Sequence, residues 1–155
     1  MKINNNLFSL KNKVVLITGA GKGIGQHLAE KIAEQNAIVY AIDKQFTRKM
    51  SKNSMKNLFK IKCDITDQEK FRQICFDIVK KKKKIDVLIN NAGISMANKQ
   101  PGKIYAKDKW DETLRINLTA HFSCSQEVIQ HMKRRKRGSI INITSINAEL
   151  GFPRN

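Results

Sequence analysis

The stretch Thr18-Gly19-Ala20-Gly21-Lys22-Gly23-Ile24-Gly25 has the residue types of a turn that presents backbone amides to an anion. A strict G-x-G-x-x-G read from Gly19 fails at Ile24, and so does a G-x-x-x-x-G-K-[ST] phosphate loop. What fits is T-G-x-x-x-G-x-G, with Gly19, Gly23 and Gly25 as its glycines. Glycine is wanted there because a Cβ would hold phosphates off the turn or clash inside it. The competing reading is a flexible connection between any strand and helix. Asp43 argues against it. It ends an apolar run close to the roughly 20-residue distance at which a carboxylate accepts hydrogen bonds from an adenosine ribose. A 2′-phosphate would meet like charge at Asp43, so the pair of features predicts NAD in preference to NADP, with Lys22 and Lys44 near enough to blur the choice. Ser145 has no G-x-S-x-G elbow, and none of His27, His121 and His131 is spaced as its base, so nucleophilic catalysis is not indicated.

These residues need elements to position them. Lys13-Val14-Val15-Leu16-Ile17 reads as a strand buried on both faces, and Leu28, Ala29, Ile32 and Ala33 then step at helical spacing. A second strand covers residues 36–43 and a third residues 58–63. The segment 45–57 is a polar loop or short helix. Thr66 or Asp67 caps a helix whose stripe is Phe71, Ile74, Cys75, Ile78 and Val79. Residues 85–89 make a fourth strand ending in Asn90-Asn91-Ala92-Gly93, followed by a loop with a Pro101-Gly102 turn signal. A long helix over residues 108–132 carries Trp110, Leu114, Leu118, Phe122, Ser125, Ile129 and Met132 along its expected core face, with Asn117 beside that seam. Residues 139–145 form the fifth strand. Strands alternating with helices predict right-handed βαβ crossovers and a Rossmann-type, doubly wound parallel sheet in a three-layer α/β/α arrangement. The expected order is 3-2-1-4-5, with the ligand outside the carboxyl ends where strands 1 and 4 part. One dinucleotide-binding domain over residues 1–155 is expected.

The balance of 30 Lys and Arg against 13 Asp and Glu leaves a formal charge of +17. Much of it lies in two runs, residues 80–84 and 133–137, each expected at a helix end where cations complement the dipole. No aromatic residues interleave with the runs, so no specific nucleic-acid role is expected, only weak attraction at low salt. No run approaches the ~20 apolar residues of a membrane span, and no signal peptide is read. Cys63, Cys75 and Cys124 are odd in number and lack metal-ligand spacing, so buried thiols in a reducing cytoplasm and no metal site are expected.

Thr18-Gly19-x-x-x-Gly23-x-Gly25, Asp64, Asn90-Asn91-Ala92-Gly93, Asn117 and Ile143-Thr144-Ser145 occur here in the order seen in the short-chain dehydrogenase/reductase family, which the chain resembles in its classical branch over nearly its whole length. The resemblance implies an NAD(P)-dependent oxidoreductase acting on a small-molecule alcohol or ketone, commonly as a homo-oligomer. It implies that Gly19, Gly23, Ile24 and Gly25 line the pyrophosphate, that Asp64 and Ile65 edge the adenine, and that Asn90, Ala92 and Gly93 flank the cofactor. It also implies that Ser145 hydrogen-bonds the substrate oxygen and that Asn117 bends its helix and holds a relay water. The family's acid/base is a tyrosine in Tyr-x-x-x-Lys, on a helix about a dozen residues after the serine. Tyr40 and Tyr105 are the tyrosines present, and neither has a lysine four residues on. The sequence ends at Asn155, ahead of such a helix, which reads as a sheet cut short after strand 5, with strand 5 left as an open hydrophobic edge. Two other readings stay open: a non-catalytic dinucleotide-binding module completed by a partner chain, and a basic nucleic-acid binder.

Overall fold

The structure, a computed structural model, describes residues 8–46, 55–95 and 106–146. The Pro101-Gly102 turn, Tyr105, the closing residues 151–155 and most of the segment 45–57 lie outside the described residues.

Five parallel strands form one sheet in the order β3-β2-β1-β4-β5, as the alternation of elements predicts. The strands are β1 (Val14–Thr18), β2 (Ile38–Asp43), β3 (Leu58–Lys62), β4 (Val87–Asn90) and β5 (Ser139–Asn142). The central strand β1 is wholly buried because both faces are covered. Val15 and Ile17 pack towards α1 (Gly23–Glu34), with Ala29 and Ala33. Val14 and Leu16 point the other way, into a cluster with Phe71, Ile74, Cys75 and Ile78 of α2 (Gln68–Lys82) and Cys124 and Val128 of α4 (His121–Arg134). This period-2 division is what makes three layers, each buried Val, Leu or Ile contributing about 1.5–3 kcal/mol. Asp67 is the cap of α2: its carboxylate accepts from Lys70 N at 3.0 Å. All three cysteines are buried free thiols, and burial pushes the Cys75 thiol well up and that of Cys124 to about 12. Among the described residues no helix is long and apolar enough to cross a membrane.

The long helix is present but not uniform. It runs as α3 (Lys107–Leu114), a π-helical turn over Arg115–Ala120, and α4. The expected core stripe is wrong for most of its members. Trp110 is 55 % exposed, Leu118 and Phe122 each 62 %, and Leu114 and Ile129 are also exposed. The buried face is Ile116, Ala120, Cys124, Val128 and Met132. That face mixes small Ala120 and Cys124 with Ile116, Val128 and Met132, while the rings of Trp110 and Phe122 stand outside. Among the described residues β5 is an edge strand of the sheet, with Ile141 exposed.

The two basic runs meet at one point. Residues 80–82 form the last turn of α2, and Lys133 and Arg134 close α4, so part of each run is helical rather than loop. Between them lies Asp86, nearly buried, which accepts from Val14 N at 2.9 Å, Lys84 Nζ at 2.9 Å and Arg135 Nη1 at 3.2 Å. Burial opposes its charge, but Lys84 and the Val14 amide, with Arg135 behind them, outweigh burial and hold the carboxyl below its usual value. A lowered folded pKa means that this stabilisation is full above the ordinary carboxylate pKa of about 4 and is lost as pH falls through the lowered value. Asp86→Asn should therefore lower stability by about 1–3 kcal/mol at neutral pH and flatten the acid limb below roughly pH 4. Thermal unfolding across that range checks it, and an unchanged acid limb contradicts it.

Candidate functional site

The site is a cleft of about 440 Å³ at the carboxyl ends of β1, β2 and β4, where the strand order reverses. Its floor is a knot between the turn after β1 and the exit of β4. Thr18 Oγ1 accepts from Asn91 N at 3.1 Å and Ala92 N at 3.2 Å. Asn91 Nδ2 donates to Thr18 O and Gly19 O, both at 3.0 Å. Gly19 has φ +66°, and a Cβ on it would lie 2.5 Å from Ala92 Cα, so the knot admits glycine alone at that position. Gly25 is as constrained from the helix side, its Cβ position lying 2.3 Å from Gly19 O.

Gly23 differs from both. Its φ is +58°, yet a Cβ there would meet nothing within 4 Å, so the space above it belongs to the cleft. It begins α1, whose opening has no side-chain cap and no acidic residue in its first turn. Unpaired amides at a helix start, facing open space and backed by the helix dipole, are suited to a phosphate. The residues present therefore fit a dinucleotide pyrophosphate. Ile24 is exposed at the cleft, and Lys22 and Lys44 line it with Gly19 and Gly23.

Asp43 is held at both oxygens. Oδ2 accepts from Gly21 N at 2.8 Å and Oδ1 from Gln45 N at 2.9 Å. A carboxylate offers about four lone-pair directions, so acceptor capacity remains for two ribose hydroxyls. Gly21, read from the sequence as a spacer, is required here: a Cβ on it would lie 1.9 Å from Gln45 O. Asp64 and Ile65 line the cleft beyond Asp43. Asp64 Oδ1 accepts from Thr66 N and Thr66 Oγ1, and that backbone bond above all holds its carboxyl below the usual range.

The Asn90-Asn91-Ala92-Gly93 stretch divides by strand alternation. Asn90 is fully buried, and its Nδ2 donates to Ser125 Oγ and Asn142 Oδ1, both at 2.9 Å, tying β4 to α4 and β5. Asn91, Ala92, Gly93 and Ile94 line the cleft. The sequence does not say which of two adjacent asparagines faces the cleft; in the fold it is Asn91.

Asn117 lies within the π turn and grips Ile94 twice. Its Oδ1 accepts from Ile94 N and its Nδ2 donates to Ile94 O, both at 2.9 Å. One helical step on, His121 Nε2 lies 2.6 Å from Ala92 O. Burial pushes the His121 imidazole below its usual range, with the Ala92 carbonyl acting the other way. Ser145 is exposed just past β5 and is not among the residues lining the cleft. Tyr40 is buried in β2, stacked on Phe59, and burial raises its hydroxyl pKa, so it is not placed to exchange protons with a ligand.

The family model for short chain dehydrogenases matches residues 13–155, and the chain belongs to that family. It is 34 % identical over 154 residues to the 5-keto-D-gluconate 5-reductase of Escherichia coli (strain K12), covering 95 % of this chain and 59 % of that protein. It is 32 % identical over 148 residues to the 3-oxoacyl-(acyl-carrier-protein) reductase FabG of Staphylococcus epidermidis, covering 92 % and 60 % respectively. Among solved structures, ElxO with NADP bound superposes with a TM-score of 0.84 at 30 % identity, over 92 % of this chain and 59 % of that one. The chain thus spans about three fifths of the length of the relatives it matches.

Proposed function

We propose that the protein is an NAD(P)-dependent oxidoreductase of the CH–OH/ketone type, and that these residues supply its nucleotide cradle. The observation that carries this reading is the open, uncapped start of α1 at Gly23, facing a cleft floored by the Thr18–Asn91 knot. When bound, a nicotinamide ring supplies or accepts the hydride. The chain's own residues bind and orient: the amides around Gly23, Ile24 and Gly25 take the phosphates, Asp43 takes ribose hydroxyls, and Asp64 and Ile65 border the base. Ala92 and Gly93 form the wall on the nicotinamide side, while Asn90 acts behind it by fixing the strand. Ser145 donates to the substrate oxygen as charge develops there. The Asn117 amide is committed to Ile94 at both ends, so a relay water would be held by the backbone of the widened turn.

The reading at Asp43 is NAD. NADP is the second reading, favoured by the NADP carried by the related ElxO and by Lys22 and Lys44 at the cleft. Three free thiols suit a cytoplasmic setting. The exposed apolar stripe of Trp110, Leu118 and Phe122 supports self-association of the whole protein. No Tyr-x-x-x-Lys occurs in residues 1–155. The chain alone should accordingly quench on titration with NADH, scatter as a dimer or larger, and show no turnover of simple alcohols or ketones. Absence of any NADH binding would overturn the reading, and turnover would place the acid/base on a residue not named here.

A further inference from the structure

We infer that His121 is a positioning residue for the nucleotide wall: by donating from Nε2 to the Ala92 carbonyl it aims the Gly93 amide at the ligand. This rests on the dinucleotide reading above and adds a residue to it.

His121 Nε2 and Ala92 O are 2.6 Å apart, and a carbonyl oxygen can only accept, so Nε2 carries the proton. A trans peptide is planar, with its C=O and N–H pointing in opposite directions. Fixing the Ala92 carbonyl against α4 therefore turns the Gly93 N–H away from that helix. Gly93 lines the cleft, so its amide is then offered to a nucleotide rather than to the protein. The next peptides cannot rotate to compensate, because Asn117 grips Ile94 at both N and O. Behind them, Thr18 Oγ1 holds Asn91 N and Ala92 N. The wall from Asn91 to Ile94 is thus pinned from two sides, and His121 is the pin that sets the Ala92–Gly93 peptide plane. Spacing of four along the rod brings Asn117 and His121 to the same strip of helix surface.

The test is NADH titration of the full chain as wild type, His121→Leu and His121→Gln, with thermal unfolding of each. Glutamine places an N–H donor close to where Nε2 sits, whereas leucine fills the space without a donor. His121→Leu should weaken NADH about tenfold and His121→Gln should recover most of that, with both midpoints of unfolding near wild type. A leucine variant that binds NADH as well as wild type, or a glutamine variant as weak as leucine, overturns the assignment. A readout on the wild-type chain needs no substitution: NADH should shift the Gly93 amide resonance while His121 keeps its Nε2 proton. A Gly93 amide that does not respond to bound NADH overturns the assignment and leaves the dinucleotide reading standing. A wild-type chain that does not bind NADH at all overturns both.

Discussion

Gly25→Val should abolish NADH binding, raising the dissociation constant by about 100-fold or more, and should lower stability by about 1–3 kcal/mol. The Cβ of any other residue at this position meets Gly19 O at 2.3 Å and Asn91 Nδ2 at 2.4 Å. Both atoms belong to the knot that joins β1 to β4: Gly19 O is backbone, and Asn91 Nδ2 is a side-chain end held by its bonds to Thr18 O and Gly19 O. The start of α1 must move away from the turn, and its amides leave the place proposed for the phosphates. A companion variant separates binding from folding. At Gly23 a methyl group meets no protein atom, so Gly23→Ala costs about the 1–2 kcal/mol of a left-handed backbone. That methyl nonetheless stands in the space a phosphate would use. NADH titrations and thermal unfolding on both variants check the pair. Tight NADH binding by Gly25→Val would remove the turn from the site.

Asp43→Ala should swing nucleotide preference towards NADPH by at least about tenfold. Like charges 4 Å apart repel by about 1 kcal/mol in water and about 4 kcal/mol near a protein surface, so one carboxylate is enough to decide between a hydroxyl and a phosphate. The same substitution deprives Gly21 N and Gln45 N of their acceptor, so NADH binding should weaken in absolute terms as NADPH binding improves. Lys44 lies on the rim beside it and becomes the favoured partner of the 2′-phosphate once the carboxylate is gone. Paired titrations with NADH and NADPH measure the ratio, and a ratio unaltered by the substitution would take Asp43 off the ribose.

The sheet and the glycine turn were legible because their signals are local. A β-branched run such as Val14-Val15-Leu16-Ile17 has few ways to be buried, and helices between such runs force parallel crossovers. The face of the long helix was not legible in the same way. Counting large apolar residues finds the stripe from Trp110 to Ile129, yet the sheet takes Ile116, Ala120, Cys124 and Val128. The π turn at Arg115–Ala120 also shifts the angular step in the middle of the rod, which a fixed spacing of three or four cannot register. At the site, Asp43 and Gly19 could be read from residue type. Gly21 could not, because its need for glycine arises from Gln45 O, a contact made across the fold. Nothing in the sequence marks His121, because its contact is with a backbone carbonyl brought to it across the fold. The fate of Asn90 and Asn91 depends on strand alternation, whose phase is set by neighbours rather than by the two residues themselves.

A structure of the chain with NADH bound bears most directly on the central claim. The account predicts both phosphates within hydrogen-bonding distance of the amides at Gly23, Ile24 and Gly25, with the adenosine ribose at Asp43. A nucleotide found elsewhere on the molecule, with that helix start empty, would contradict it.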